Sequence, residues 1–264
     1  MSQPPPVATA PTARSAGADR NRPASTRRRA TRRYLPPQHG AWAMLLLPWL
    51  AGVLTAGFRW VDVPLLLAWL TGYLLSYYVL LAVKTRRPDR VRPQLLVYAP
   101  PTILLGALVL VLRPQLLWYV PAYALLLAVN AGFAARRDER ALLNDIAAVL
   151  QSCLMVFVCA TVAHVPPRDV TVVFLAVLAY FLGTVLYVKT MIRERDSIGY
   201  RRASVAYHAV AFAGMLALSP LLGAVFALLL LRAWALPGHR IAPARVGLLE
   251  LLACALVLAA VVAG

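Results

Sequence analysis

Ionisable side chains that could do chemistry cluster in three short stretches of this 264-residue chain, each beside a long apolar run. The first stretch contains His39, directly before the first run. A histidine there could titrate near neutral pH or bind a phosphate group. A histidine close to Trp42 would also suit the headgroup boundary of a membrane without any further role, so both interpretations of His39 stay open.

The second stretch, residues 136–145, contains Glu139, Asn144 and Asp145. We expect Asp138 to cap the helix that follows. Asp145 is expected a turn or two inside an otherwise apolar helix, so it needs a partner. An arginine of the loop after the sixth apolar run is the expected partner. A structural ion pair and a functional site are both compatible with Asp145.

The third stretch, residues 189–202, contains Lys189, Arg193, Arg195 and Asp196. If the preceding helix continues past the membrane, Lys189, Arg193 and Asp196 share one of its faces. Such a cationic face suits a phosphate or pyrophosphate headgroup. The alternative is that the cations only extend to the membrane surface, but this alternative gives Asp196 no role.

Together the three stretches predict a site of a membrane-embedded enzyme that acts on a phosphorylated lipid or isoprenoid. Lysine and arginine would neutralise the phosphate, and a carboxylate would act as a base or metal ligand. The predicted catalytic residues are His39, Asp145 and Asp196, and the predicted substrate-binding residues are Glu139, Asn144, Lys189, Arg193 and Arg195. A small-molecule or ion transporter and a non-catalytic membrane assembly subunit remain alternatives. A transporter would need polar groups near the middle of the membrane, and few are present.

The elements that must position these residues are membrane-spanning helices. Hydrophobic residues make up 61% of the chain, against about 45–50% in soluble domains. Many apolar runs exceed the roughly 18 residues that a spanning helix needs. The sequence therefore predicts an all-α bundle of nine spans, at about 40–57, 63–83, 95–112, 116–134, 142–163, 170–190, 204–219, 221–236 and 246–263.

The basic residues predict the orientation of these spans. The net charge is +17, and of the 27 lysines and arginines all but Arg59, Arg113 and Arg168 fall on one predicted side of the membrane. That side is cytoplasmic by the positive-inside rule, which places the N-terminus inside and the C-terminus outside a bacterial plasma membrane. Because the charges lie in short loops between spans, we expect membrane lipids as partners and no nucleic acid.

The domain organisation follows from the same pattern. Residues 1–34 are rich in arginine, proline and serine and predict a disordered basic cytoplasmic tail. Residues 35–264 predict a single transmembrane domain. Within it, Asn130 and Gln151 are expected to hydrogen-bond between helices, and Glu250 to pair with Arg245 or Arg240.

Sequence motifs identify no cofactor. The chain has no phosphate-binding loop, HExxH, EF-hand loop or dinucleotide fingerprint. None of its three cysteines forms a CxxC pair, so neither a metal site nor a disulfide framework is predicted. Any energy source or cofactor must come from the substrate, an ion gradient or a partner, and the sequence leaves the oligomeric state open.

Three segments taken together, Gln38–Met44, Glu139–Asp145 and Val188–Arg195, resemble the YwiC-like family of bacterial integral membrane proteins. The resemblance extends over nearly all of the chain after the tail. It implies an integral membrane protein, and the family brings no established activity with it.

The predicted architecture is also similar, more distantly, to the UbiA-type prenyltransferases. That resemblance implies aspartate-rich motifs after helices two and six that hold Mg²⁺ against a prenyl pyrophosphate. This sequence departs from the pattern, because Asp89 is the only acid after span two. After span six, Glu194 and Asp196 do not form a DxxxD motif.

Overall fold

The structure, a computed structural model, describes residues 34–36, 39–239 and 241–264, without the side chains of His39 and Pro243. All regular structure in these residues is helical, which confirms the all-α prediction. Residues 1–33 of the predicted tail lie outside the described residues. The helices all belong to one compact unit, residues 38–264.

Ten α-helices follow one another along the described chain. They are α1 His39–Ala56, α2 Asp62–Thr85, α3 Arg92–Leu112, α4 Val120–Ala135, α5 Leu142–Cys153, α6 Met155–Val162, α7 Thr171–Ile192, α8 Ile198–Leu218, α9 Pro220–Ala235 and α10 Pro243–Ala263. Short 3₁₀ helices at Pro88–Arg90, Pro114–Tyr119 and Pro167–Val170 precede α3, α4 and α7.

Each predicted span has a helical counterpart in the structure. The fifth span consists of α5 and α6, which meet at Leu154. The main-chain hydrogen bonds from Leu154 to Leu150 and from Val158 to Leu154, both 3.1 Å, join the two into one rod. The helix at the predicted seventh span is longer than predicted, since α8 begins at Ile198.

Six helical segments are long and apolar enough to cross a membrane, and they identify the chain as a membrane protein. They are Asp62–Thr85, Arg92–Leu112, Pro114–Ala135, Leu142–Val162, Pro167–Ile192 and Ala244–Ala263. Two further apolar helices, Gly40–Ala56 and Pro220–Ala235, are shorter. The remaining helix, α8, is less apolar because its first turns carry Arg201, Arg202 and His208.

Helices α1, α5, α6 and α7 form the centre of the bundle. On one side α2 packs against α3 and α4, and α4 packs against α5. On the other side α9 packs against α8 and α10, α8 packs against α7, and α10 packs against α1 and α7. A large buried apolar cluster joins the central helices to α8–α10, and a smaller cluster joins α1 and α6 to α2 and α3.

Small residues let the central helices approach closely. At Gly52 of α1, an added β-carbon would lie 2.8 Å from the Cβ of Cys159 and 3.2 Å from the main chain of Val156. Main-chain atoms cannot move aside as a flexible side chain can. Glycine at position 52 is therefore a condition for the contact between α1 and α6.

The loops at one end of the bundle differ from the sequence prediction in two places. Helix α7 ends at Ile192, and Ser197 caps α8 by accepting a hydrogen bond from the Tyr200 main-chain N–H at 3.3 Å. The condition under which Lys189, Arg193 and Asp196 would share one helix face is therefore not met. Helix α5 begins at Leu142 without a side-chain cap, so the capping role predicted for Asp138 was also wrong.

Replacing Gly52 with alanine should destabilise the protein by about 1–3 kcal/mol, because the added methyl group overpacks the α1–α6 contact. The thermal unfolding midpoint in detergent measures this loss. Gly106→Ala on α3 is the matched control, since nothing lies within 4 Å of the added carbon there. Equal midpoints for the two variants would contradict the close approach.

Candidate functional site

A cavity of about 830 Å³ lies between α1, α2, α4 and α5. One face of α2 lines it from Trp69 to Lys84. Because these residues are 15 positions apart, the cavity extends about 22 Å along the helix at 1.5 Å per residue. The charged lining residues lie at one end of the cavity, which we call its mouth, where α2 and α4 end and α5 begins, next to the end of α7.

Polar side chains in the depth of the cavity are largely bonded to other parts of the protein. The Asn130 side chain donates to Gln151 Oε1 at 3.2 Å, which confirms the predicted hydrogen bond between helices. Ser76 donates to the Tyr73 carbonyl at 2.9 Å, and Ser152 donates to the Met44 carbonyl. The surface left at this depth is mainly apolar and is contributed by Leu45, Leu80, Leu81, Leu127, Ala148 and Val185.

An ion pair between a buried lysine and a partly exposed aspartate forms one side of the mouth. Lys189, in the last turn of α7, places its Nζ 2.8 Å from Asp145 Oδ2 and donates a second hydrogen bond to the Arg140 carbonyl at 2.7 Å. Its side chain is only 9% exposed. The partner of Asp145 is thus Lys189, and the prediction of an arginine from the following loop was wrong.

A more exposed ion pair forms the other side of the mouth. Lys84, in the last turn of α2, lies 2.7 Å from Glu139 Oε1, and both side chains are more than one third exposed. Partial burial acts to raise the pKa of Glu139, but the hydrogen bond and charge of Lys84, with Arg140 nearby, bring that pKa below its usual value. The carboxylate therefore stays ionised through mildly acidic pH.

Two arginines at the mouth have no such partner. Arg140, between α4 and α5, and Arg193, directly after α7, both line the cavity and are exposed. Neither guanidinium has an ion pair or a hydrogen bond to any residue that the structure describes. These two cations are available to a ligand, whereas both lysines are already occupied.

The structure brings together five of the eight predicted site residues. Four of them line the cavity: Glu139, Asn144, Asp145 and Arg193. The fifth, Lys189, contacts Asp145 from outside the cavity wall. The Asn144 side chain donates to the Glu139 carbonyl at 2.9 Å and so shapes the loop before α5.

The other three predicted residues are not placed in the cavity wall. The Arg195 guanidinium donates to the Met191 carbonyl at 2.9 and 3.2 Å and closes the end of α7. Asp196 is exposed in the turn before α8. The His39 side chain lies outside the described part of the structure.

Sequence reasoning missed Lys84 and Arg140 as cavity residues. One signal was present, since Lys84 and Lys189 are the only lysines in a chain whose other basic residues are all arginine. Both lysines form an ion pair with a carboxylate at the mouth.

A second buried polar cluster lies between α7, α9 and α10. Arg232 of α9 pairs with Glu250 of α10 and stacks its guanidinium 4.2 Å above the ring of Tyr187. Thr184 donates to Glu250 Oε2 at 2.8 Å, and Tyr180 donates to the Glu250 carbonyl at 2.9 Å. The predicted pairing of Glu250 with Arg245 was wrong, and Arg240 lies outside the described residues.

The residues present do not fit the Mg²⁺ site that the UbiA-type resemblance implies. Asp89 is exposed in a 3₁₀ helix and does not line the cavity. Glu139 and Asp145 are each bound by a lysine. Among the described residues, no group of three or more histidine, cysteine or acidic side chains is placed to hold a metal ion.

Removing one partner of the buried pair should destabilise the protein strongly. Lys189→Met leaves Asp145 unpaired and should cost about 3 kcal/mol or more in the free energy of unfolding, measured in mixed detergent micelles. The double variant Asp145→Asn, Lys189→Met should recover most of that loss, because neither charge remains.

Lys84→Met is the matched control, because an exposed pair contributes less than about 1 kcal/mol. If the Lys84 and Lys189 variants lose equal stability, the distinction drawn between the two ion pairs is incorrect.

Comparison with known proteins places the chain in a family. The sequence model described as YwiC-like protein matches residues 35–160. A Bacillus subtilis (strain 168) protein named Uncharacterized protein YwiC is 34% identical over 223 residues, covering 82% of this chain and 92% of the relative. A Haemophilus influenzae protein named Uncharacterized protein is 31% identical over 220 residues, covering 81% and 90% of the two chains. No solved structure matches, and the similarity to UbiA-type prenyltransferases stays a prediction. With these identities over most of both lengths, the chain belongs to the YwiC-like family.

Proposed function

We propose that this protein crosses the bacterial plasma membrane nine times, with its N-terminus in the cytoplasm and its C-terminus outside. Support comes from six helical segments long enough to span and from two shorter apolar helices. The distribution of arginine and lysine then gives the orientation. On this topology the mouth of the cavity opens towards the cytoplasm.

Reporter fusions test the topology. Green fluorescent protein fused after Arg87, in the loop between α2 and α3, should fluoresce, because the proposed topology places this loop in the cytoplasm. Alkaline phosphatase fused after Gly264 should be active, since that enzyme folds only outside the cytoplasm. Fluorescence of a C-terminal fusion would contradict the proposed number of spans.

The cavity, we propose, binds a phosphorylated lipid or isoprenoid. The single observation that carries this proposal is that two arginines without an ion-pair partner lie at the mouth of a cavity about 22 Å long. The mainly apolar remainder of the cavity beneath the mouth is its shaft. A guanidinium presents a planar fork of donors that matches phosphate oxygens. An apolar chain gains free energy by leaving water for the shaft.

The position of the mouth supports the same ligand. Arg140 and Arg193 lie beyond the ends of α4 and α7, where the lipid headgroups of the inner leaflet would be. An amphiphile could keep its phosphate at that level while its chain enters the bundle. The phosphate would then not have to enter the apolar interior, and the apolar chain would not have to stay in water.

Binding is the function proposed, and a group-transfer reaction is not. Transfer would require a carboxylate that can act as a base or hold a metal ion. Both carboxylates of the cavity wall are held by lysines at 2.7 and 2.8 Å. A UbiA-like reaction would first have to release one of these pairs.

Transport of a small polar solute is the second candidate. It is favoured by Asn130, whose side-chain carbonyl oxygen is buried without a hydrogen-bond partner in the depth of the cavity. Uptake of solute by proteoliposomes would support this candidate. The apolar surface around Asn130 supports the amphiphile instead.

Blocking the shaft should remove the ligand. Ala148 lines the cavity on α5, and Ala148→Phe should lower the amount of phosphorylated amphiphile that copurifies with the protein by about tenfold. Mass spectrometry of the lipids extracted from detergent-free discs measures this amount.

Ala128→Phe is the matched control, since Ala128 is exposed on α4 next to the cavity-lining Leu127. If both variants retain as much phosphorylated amphiphile as the unaltered protein, the cavity is not its binding site.

A further inference from the structure

The charges at the mouth of the cavity indicate which phosphate headgroup fits. Lys84 and Glu139 neutralise each other, as do Lys189 and Asp145. Arg140 and Arg193 remain, so the described residues that form the mouth carry two uncompensated positive charges.

Lys189 forms hydrogen bonds with the main chains of both arginines. Its ammonium group donates to the Arg140 carbonyl at 2.7 Å, and its own carbonyl accepts from the Arg193 main-chain N–H at 3.0 Å. The main chains of both arginines are therefore fixed to one buried residue. Their guanidinium groups are exposed and can adjust to a shared ligand.

The beginning of α5 adds to the positive potential at this point. Helix α5 starts at Leu142 with no side-chain cap, and Asn144 and Asp145 of its first turn line the cavity. The N-terminus of a helix carries a partial positive charge, about half an elementary charge. This field favours an anion on the same side as the arginines.

We infer that the ligand of this cavity carries a terminal phosphate with two negative charges, as a phosphomonoester does, and that Arg140 and Arg193 bind it together. This inference rests on the proposed function and narrows its substrate class. A phosphodiester, which most membrane lipids contain, has one negative charge and would leave one arginine uncompensated. The bulk lipids of the membrane are then poor competitors for the site.

A matched pair of probes tests the inference on the full-length protein in discs of phosphatidylcholine. Dodecyl phosphate and methyl dodecyl phosphate have the same chain but differ in charge. Titration calorimetry should give about tenfold tighter binding of dodecyl phosphate near neutral pH, since a further hydrogen bond between two charged groups is worth about 1.4 kcal/mol, a factor of ten in affinity.

The preference should disappear in acid. The second phosphate proton binds with a pKa of about 6, so the two probes should bind alike well below that pH. The charged groups that line the mouth are Lys84 of α2, Asp145 of α5, and Glu139, Arg140 and Arg193 of the loops, and Lys189 of α7 is paired with Asp145 from outside the cavity wall. The lowered pKa of Glu139 keeps it charged in this range. The titration is done with His39→Gln, because a histidine at the start of α1 could protonate near the same pH.

Substitutions assign the effect to the arginines. Arg140→Gln and Arg193→Gln should each abolish the tenfold preference, and Arg136→Gln, an exposed arginine outside the cavity wall, should retain it. A preference that survives in both arginine variants overturns the assignment. The pH titration uses neither arginine variant, so it decides the question even if one of them fails to fold.

The outcomes separate this inference from the proposed function. If both probes bind equally and Ala148→Phe abolishes that binding, the inference of a dianionic ligand is overturned, but the proposed amphiphile site is retained. Failure of both probes to bind would overturn the inference and the proposed function together. Farnesyl phosphate and lysophosphatidic acid, each with a dianionic phosphate, then distinguish an isoprenoid from a glycerolipid. Tighter binding of one than of the other identifies the type of chain, and either result supports the inference.

Discussion

The arrangement of the site depends on one buried lysine. Lys189 reaches from the last turn of α7 to Asp145 in the first turn of α5 and to the Arg140 carbonyl in the loop between α4 and α5. A buried ammonium group is stable only when its charge and its donors are satisfied. These contacts meet that requirement, and they also fix the distance between the helix ends that form the mouth.

The positions of the helices along the chain were largely predictable, because in lipid the backbone N–H and C=O groups can form hydrogen bonds only with each other. Apolar runs therefore located every helix, including the weakly apolar α8. The ends of α5 and α7 were not predictable in the same way. Outside the membrane, water can satisfy the backbone, so hydropathy no longer determines whether a helix continues through Asp138 or Asp196.

The partners of the buried charges could not be read from the sequence either. Lys189 and Arg140 are 49 residues apart, and Arg232 and Glu250 are 18 apart on different helices. Which residues meet depends on how each helix is rotated about its axis. That rotation is set by packing, for example by the close contact at Gly52, and not by any local pattern. A charged residue in a span signals that a partner exists but does not identify the partner.

The distinction between paired and unpaired charges explains how one surface can serve both folding and binding. The arginines that satisfy the positive-inside rule face water at little cost, so they need no partner in the protein. Lys189 is buried and must be paired. Because Asp145 and Glu139 are each bound to a lysine, neither forms an ion pair with Arg140 or Arg193. On the proposed function, the ion pairs would leave the positive charge of the mouth to an external anion, and the apolar part of the cavity beneath would select an anion that carries a long chain.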